Sequence, residues 1–211
     1  MLDRYAQMAI RPVIQALATG LHRAGVRANT LTWLGWAAGM ASAVAIALQF
    51  YALGLAWLLL SRLLDGLDGA VARLGTPSDA GGFLDISLDF WFYAAIPLAF
   101  AWADPQANAL PAACLLAAFI GTGTSFLAYA VMREKQNKHA RQPEQTARTD
   151  NEGAARKSFY FLGGLTEATE TIGFFIAMCL WPQHFATLAA VFTVLCLITS
   201  ATRISSGLRD L

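Results

Sequence analysis

Asp65-Gly-Leu-Asp-Gly-Ala-Val-Ala-Arg73, then seven residues, then Gly81-Gly-Phe-Leu-Asp-Ile-Ser-Leu-Asp89: these two runs set Asp65, Asp68, Asp85 and Asp89 within 25 residues of mostly small or apolar chain. Fourteen residues, Tyr51 to Leu64, precede Asp65, fewer than the ~20 that cross a bilayer, so a span opening at Tyr51 has to continue to about Val71. Asp65 and Asp68 then occupy its last turns. The turn Gly75-Thr-Pro-Ser-Asp79 follows, and the next apolar run carries Asp85 and Asp89 in its first two turns. At ~1.5 Å of rise per residue, Asp65 lies about 10 Å inside one helix end and Asp89 about 10 Å inside the facing one. Spacings of i, i+3 and i, i+4 put each pair on one helix face, and antiparallel neighbours can bring the two faces together at matched depth.

The rest of the chain makes that depth a membrane depth. Of 211 residues, 56% are hydrophobic and only 14% charged, and the mean hydropathy is +0.47. A soluble globular domain carries about 25% charged residues. Six apolar runs, at about 30–49, 51–71, 83–102, 109–132, 159–181 and 184–202, predict an all-α integral membrane protein of six transmembrane helices. Residues 1–29 alternate apolar and basic side chains, as an amphipathic helix on the membrane surface would. The expected organisation is that segment, a catalytic membrane domain at 30–204 with a polar cytoplasmic loop at 133–158, and a tail at 205–211.

Charge placement orients the bundle. Short links between alternate spans contain no lysine or arginine, and all fifteen basic residues fall on the opposite side, Arg62 among them near the end of the second span. The positive-inside rule puts both termini, the loops after the second and fourth spans and the aspartates on the cytoplasmic side of an inner or plasma membrane. No signal peptide is expected at the N-terminus. A net charge of +1 and a pI of about 7.8 give no field that would favour a nucleic-acid partner. Cys114, Cys179 and Cys196 lie in apolar runs without metal or redox spacing, and His22, His139 and His184 sit at span margins as interfacial or solvated side chains.

Four carboxylates shielded together from water repel one another unless cations neutralise them or protons are taken up. Hard oxygen donors of this kind suit one or two divalent ions, Mg²⁺ or Mn²⁺. Such sites clamp phosphate oxygens and stabilise the charge developing in phosphoryl transfer. Gly66, Gly69, Ala70, Ala72, Gly81 and Gly82 leave the carboxylate faces without bulk; they admit either a ligand or a neighbouring helix.

The two runs resemble the signature of the CDP-alcohol phosphotransferases, D-x-x-D-G-x-x-A-R, a spacer, then G-x-x-x-D-x-x-x-D, with all eight fixed positions present. Ala28-Asn29-Thr30-Leu31-Thr32 is also similar to the family's P-N-x-x-T, with Ala28 where proline is usual. The resemblance implies six helices, a cytoplasmic active site and a homodimer. It also implies an Mg²⁺- or Mn²⁺-dependent transfer, with two ions, in phospholipid biosynthesis. A phosphatidyl or simpler phosphoalcohol group moves from CDP-diacylglycerol, or another CDP-linked donor, to the hydroxyl of a small alcohol, and CMP is released. Carried over by position, Asp65, Asp68 and Asp85 are metal ligands, and Asp89 is a ligand or the general base. Gly69, Ala72 and Gly81 line the cytidine diphosphate with Asn29 and Thr32 nearby, and Arg73 lies close to donor phosphate or pairs with an aspartate. No Ser, Cys or His accompanies the aspartates as a covalent nucleophile, which favours direct attack by the acceptor.

The acceptor stays open. Glu167 and Glu170 share a face near the start of the fifth span, where they either orient a polyol or ammonium group or pair with Arg203 or Arg62. Arg133, Lys135, Arg156 and Arg203 are placed for a cationic pocket that a phosphorylated acceptor needs, and equally for the positive-inside rule alone. Two rival readings are a cation transporter using the aspartates and a non-catalytic membrane assembly partner. The first predicts acids spread through the membrane depth; the second predicts loss of a motif aspartate. Neither pattern occurs.

Overall fold

The computed structural model describes residues 2–141 and 168–210, and the described elements are all helical. They are α1 (Leu2–Arg23), α2 (Ala28–Ala47), α3 (Tyr51–Leu74), α4 (Asp79–Ala103), α5 (Pro105–Arg141), α6 (Ala168–Leu180), a single 3-10 turn at Pro182–His184, and α7 (Phe185–Asp210). Four spans, Ala28–Ala47, Asp79–Ala103, Pro105–Gln136 and Pro182–Arg209, are long and apolar enough to cross a bilayer, and the chain is a multi-pass membrane protein. Helix α3 is 24 residues long, about 36 Å at the usual rise, but carries Arg62, Asp65, Asp68 and Arg73.

Local chemistry sets the helix ends. Gly25 adopts a left-handed φ of +77°, and its N–H donates to His22 O at 3.0 Å while Val26 N–H donates to Leu21 O, so α1 stops and the chain turns into α2. Ser78 accepts from Gly81 N–H at 3.1 Å and starts α4 at Asp79, four residues before the apolar run expected from about residue 83. Asp85 and Asp89 therefore sit one turn deeper along α4 than expected. At the other end, Asp104 Oδ1 accepts from Ala107 N–H at 3.1 Å and opens α5. Helix α5 continues nine residues past the apolar run that ends at Met132, into the stretch read as a polar loop, and α7 continues through most of the segment 205–211 expected as a tail. Of the fifth apolar run, residues 159–167 lie outside the described residues.

Helix α2 is wedged between α3 and α4 because its small residues allow close approach. A Cβ on Gly39 would come within 2.6 Å of the Phe92 ring on α4 and 3.1 Å of Ser61 Oγ on α3. Hydroxyls stitch the same contacts: Ser42 donates to Gly54 O and Ser61 to Gly35 O, both at 2.7 Å. The other half of the bundle is aromatic, with Phe100 stacked on Phe185 at 4.6 Å and Phe174 on Phe192 at 4.4 Å between ring centres. One continuous core runs from Ile46 and Leu58 through Phe92, Phe100 and Phe175 to Phe192. A second, smaller core joins Ala18 of α1 to Leu31, Leu67, Ala70 and Val71, so Ala70 is a packing residue against α1 and α2. On the outside, Trp102 and Leu110 are each 75% exposed, which fits a lipid-facing surface.

The tightness at Gly39 makes a stability prediction. Gly39→Leu should destabilise the detergent-solubilised protein by about 1–3 kcal/mol or prevent folding, because Phe92 must leave its place. Gly173→Ala, where nothing lies within 4 Å, should melt like the unaltered chain. Thermal unfolding of both checks this; a Gly39→Leu protein with unchanged melting temperature contradicts the packing account.

Candidate active site

Helices α3 and α4 present their aspartates to a common space. One carboxylate oxygen from each of Asp65, Asp68 and Asp85 lies within 4.8 Å of the other two. Asp68 is buried, and its Oδ2 has no hydrogen-bond partner. An orphaned buried carboxylate oxygen is costly unless a cation or donor completes it. Three hard oxygen donors at this spacing, one of them unsatisfied, fit a divalent cation of the Mg²⁺ or Mn²⁺ type, so these residues could hold the metal that the resemblance implies. Asp89 lies outside that set: its Oδ1 accepts from Arg62 Nη1 at 3.0 Å, and the same nitrogen is 3.6 Å from Asp65 Oδ2.

A cavity of about 650 Å³ opens beside the cluster, within the size range of small-molecule sites. Asn29, Thr32, Asp68, Gly69, Ala72, Arg73, Gly81 and Asp85 all line it. Absence of a side chain at Gly81 keeps the wall open, since a Cβ there would stand 3.1 Å from Asn29 Oδ1. Sequence reasoning missed four polar members of the wall: His22 and Arg27, from the end of α1 and the link into α2, and Thr76 and Ser78, from the turn before α4. His22, expected at the interface or in solvent, is exposed at the cavity's rim. A second, much smaller cavity of about 10 Å³ lies among Thr32, Trp36, Arg62, Asp65, Asp85, Leu88 and Asp89. Thr32 and Asp85 line both.

Of the residues named for an acceptor, the described ones, Arg133, Lys135, Glu170 and Arg203, line neither cavity. Arg203 donates to Thr122 O at 3.2 Å and lies over the Phe126 ring, Arg133 lies over Tyr129, and Lys135 is exposed. Glu170 sits in the first turn of α6. Arg156 and Glu167 lie outside the described residues. Arg62, offered as a partner for Glu167 and Glu170, pairs instead with Asp65 and Asp89. No signal short of the helix crossing reveals that pairing, because Arg62 stands beside Asp65 at i, i+3 but reaches Asp89 only across the α3–α4 contact.

Comparison with known proteins follows the same geometry. A family model described as CDP-alcohol phosphatidyltransferase matches residues 26–201. The inner membrane protein YnjF of Escherichia coli (strain K12) is 48% identical over 207 residues, which is 98% of this chain and 95% of that protein. Among solved structures, the crystal structure of Mycobacterium tuberculosis phosphatidylinositol phosphate synthase (PgsA1) with CDP-DAG bound shares the fold, with a TM-score of 0.63 and 21% identity over 93% of this chain and 94% of that one. With the family match spanning residues 26–201, and so all four aspartates, the chain belongs to the CDP-alcohol phosphatidyltransferase family.

Proposed function

We propose that this protein transfers a phosphatidyl group from CDP-diacylglycerol, or a related substituted phosphate from another CDP-linked donor, to the hydroxyl of a small alcohol, releasing CMP during phospholipid biosynthesis. The observation that carries this reading is the set of three carboxylates within 4.8 Å, one with an unsatisfied oxygen, at the wall of a cavity of about 650 Å³. Family membership supports the reaction class, and the bound CDP-DAG named for the fold relative supports the donor.

In this mechanism Asp65, Asp68 and Asp85 would hold Mg²⁺ or Mn²⁺, two ions as the family resemblance implies. When bound, the metal neutralises diphosphate charge and favours departure of CMP. Asn29, Thr32, Gly69, Ala72, Arg73 and Gly81 receive the cytidine diphosphate, the glycines and alanine by leaving room and Arg73 by opposing phosphate charge. Asp89 is the general base. Outside the three-carboxylate set, it accepts the proton of the acceptor hydroxyl as that oxygen bonds to the β-phosphorus and the bond to the CMP oxygen breaks. Arg133, Lys135, Arg156, Glu167, Glu170 and Arg203 remain candidates for acceptor recognition, away from the two cavities where described.

The same reading includes six membrane spans, with α3 and the fifth apolar run of the sequence completing the four apolar ones, α1 lying on the membrane surface, and a homodimer in the bilayer. Basic residues on one side put both termini and the active site in the cytoplasm.

Radiolabelled CDP-diacylglycerol in detergent, with Mn²⁺ or Mg²⁺ and a panel of glycerol 3-phosphate, serine, inositol, inositol phosphate or buffer alone, tests the chemistry. Metal-dependent CMP release with one acceptor is expected, abolished by chelation and reduced by about 10³-fold or more in Asp68→Asn or Asp85→Asn. CMP release that persists in EDTA, or in either variant, would sink the metal reading. Gly81→Val should raise the KM for donor with a smaller effect on kcat, because the added bulk meets Asn29 in the cavity wall. For orientation, a C-terminal green fluorescent protein fusion in a bacterial host should fluoresce while a C-terminal alkaline phosphatase fusion stays inactive; the reverse pattern places the active site outside.

A further inference from the structure

Arg62 belongs to neither signature run, yet it is the most constrained side chain beside them. Its Nη1 donates to Asp89 Oδ1 at 3.0 Å and stands 3.6 Å from Asp65 Oδ2, while Nη2 donates to Ser61 Oγ at 3.2 Å. Ser61 Oγ in turn donates a hydrogen bond to Gly35 O on α2 at 2.7 Å. The guanidinium carbon sits 4.0 Å from the centre of the Phe92 ring, three residues along α4 from Asp89. Arg62 is thus fixed by α2, α3 and α4 at once, through a planar fork that a lysine cannot reproduce.

The surroundings of Asp89 are equally specific. Arg62 Nε and Trp36 Nε1 are buried without hydrogen-bond partners. Both residues line the cavity of about 10 Å³ together with Asp65, Asp85 and Asp89. That is about the room of a single oxygen atom, and its lining holds both N–H donors and carboxylates. A hydroxyl suits such a lining, since its oxygen accepts from N–H while its O–H donates to a carboxylate.

We propose that Arg62 is the positioning residue of Asp89: it holds this carboxylate beside the three-carboxylate set but out of it, against a pocket that seats the reacting hydroxyl of the acceptor alcohol. The inference rests on the transfer reaction proposed above. Arg62 stays protonated throughout, neither giving nor taking the proton that moves from hydroxyl to Asp89. Losing it releases Asp89 to join the metal-binding carboxylates, which costs turnover while leaving donor binding in place.

Full-length protein in detergent tests this by steady-state CMP release and by Mn²⁺ titration followed by electron paramagnetic resonance, for the unaltered chain, Arg62→Gln, Arg62→Lys, Asp89→Asn and the Arg62→Gln/Asp89→Asn double variant. Arg62→Gln should lower kcat by about 100-fold with the donor KM within about threefold. Arg62→Lys should regain about tenfold of that loss, and separates a lost charge from a lost fold. Asp89→Asn should leave Mn²⁺ affinity within about twofold in the presence of Arg62, but weaken it about fivefold or more in the Arg62→Gln background. Undiminished turnover in Arg62→Gln overturns the inference, as does an equal Mn²⁺ defect from Asp89→Asn in both backgrounds. A chain that binds Mn²⁺ but releases no CMP with any acceptor defeats the transfer reading instead, and the Mn²⁺ cycle still decides what Arg62 does.

Discussion

Mutual repulsion among Asp65, Asp68, Asp85 and Asp89 is the constraint to which the α2–α3–α4 half of the bundle is fitted. Carboxylates this close in a partly shielded site are stable only with positive charge among them. One cation is built into the chain: Arg62 pairs with Asp89 and Asp65. Asp68 and Asp85 have no comparable partner among the described ion pairs, and Asp68 keeps an orphaned oxygen. The residual need for charge lies where Asp65, Asp68 and Asp85 converge, which is also where the large cavity reaches the cluster.

Holding Arg62 in place accounts for features that otherwise look like ordinary packing. Phe92 lies under the guanidinium, and Phe92 fits only because Gly39 leaves α2 without a side chain there. Ser61 links Arg62 to the Gly35 carbonyl, and Gly35 permits α3 to come near, a Cβ there standing 3.3 Å from Leu64 Cβ. The Gly35-x-x-x-Gly39 face is therefore both a close-packing surface and the support of a charge. In the α5–α7 half, by contrast, Thr122 and Ser200 lie 3.1 Å apart and aromatic rings fill the core, so that half supplies rigidity and little of the chemistry of the two cavities.

Residue type and spacing made the four aspartates legible in sequence, and the family resemblance singled out Asn29, Thr32, Gly69, Ala72, Arg73 and Gly81, all of which line the large cavity. An acid in an apolar run is informative because hydrocarbon excludes it, and small residues beside it mark approach. Helix ends were less legible. Hydropathy marks where lipid ends, whereas hydrogen bonding decides where a helix ends, so α5 and α7 run on through polar residues and the Ser78 cap starts α4 early. In sequence Arg62 reads as a charge on the cytoplasmic side and as one candidate partner for Glu167 and Glu170, and neither reading points to Asp89. Its role depends on the angle at which α3 meets α4, and the place of His22 and Arg27 depends on the turn at Gly25; neither is a property of local sequence.

The division of the aspartates also bears on how donor and acceptor meet. Asp68 lines the large cavity alone, Asp65 and Asp89 line the small one alone, and Asp85 with Thr32 lines both. In the proposed reaction, a donor seated among Asn29, Gly69 and Gly81 approaches the cluster from the side of Asp68, while the hydroxyl meets Asp89 on the side of Arg62. The three-carboxylate set stands between them as a shared wall. Attack and departure on phosphorus have to occur roughly in line, so a base on the leaving group's side would be of no use. Placing Asp89 away from the large cavity, and fixing it there with a side chain that carries its own permanent charge, would give one helix pair both functions of the proposed reaction: binding a diphosphate on one side and taking a proton on the other.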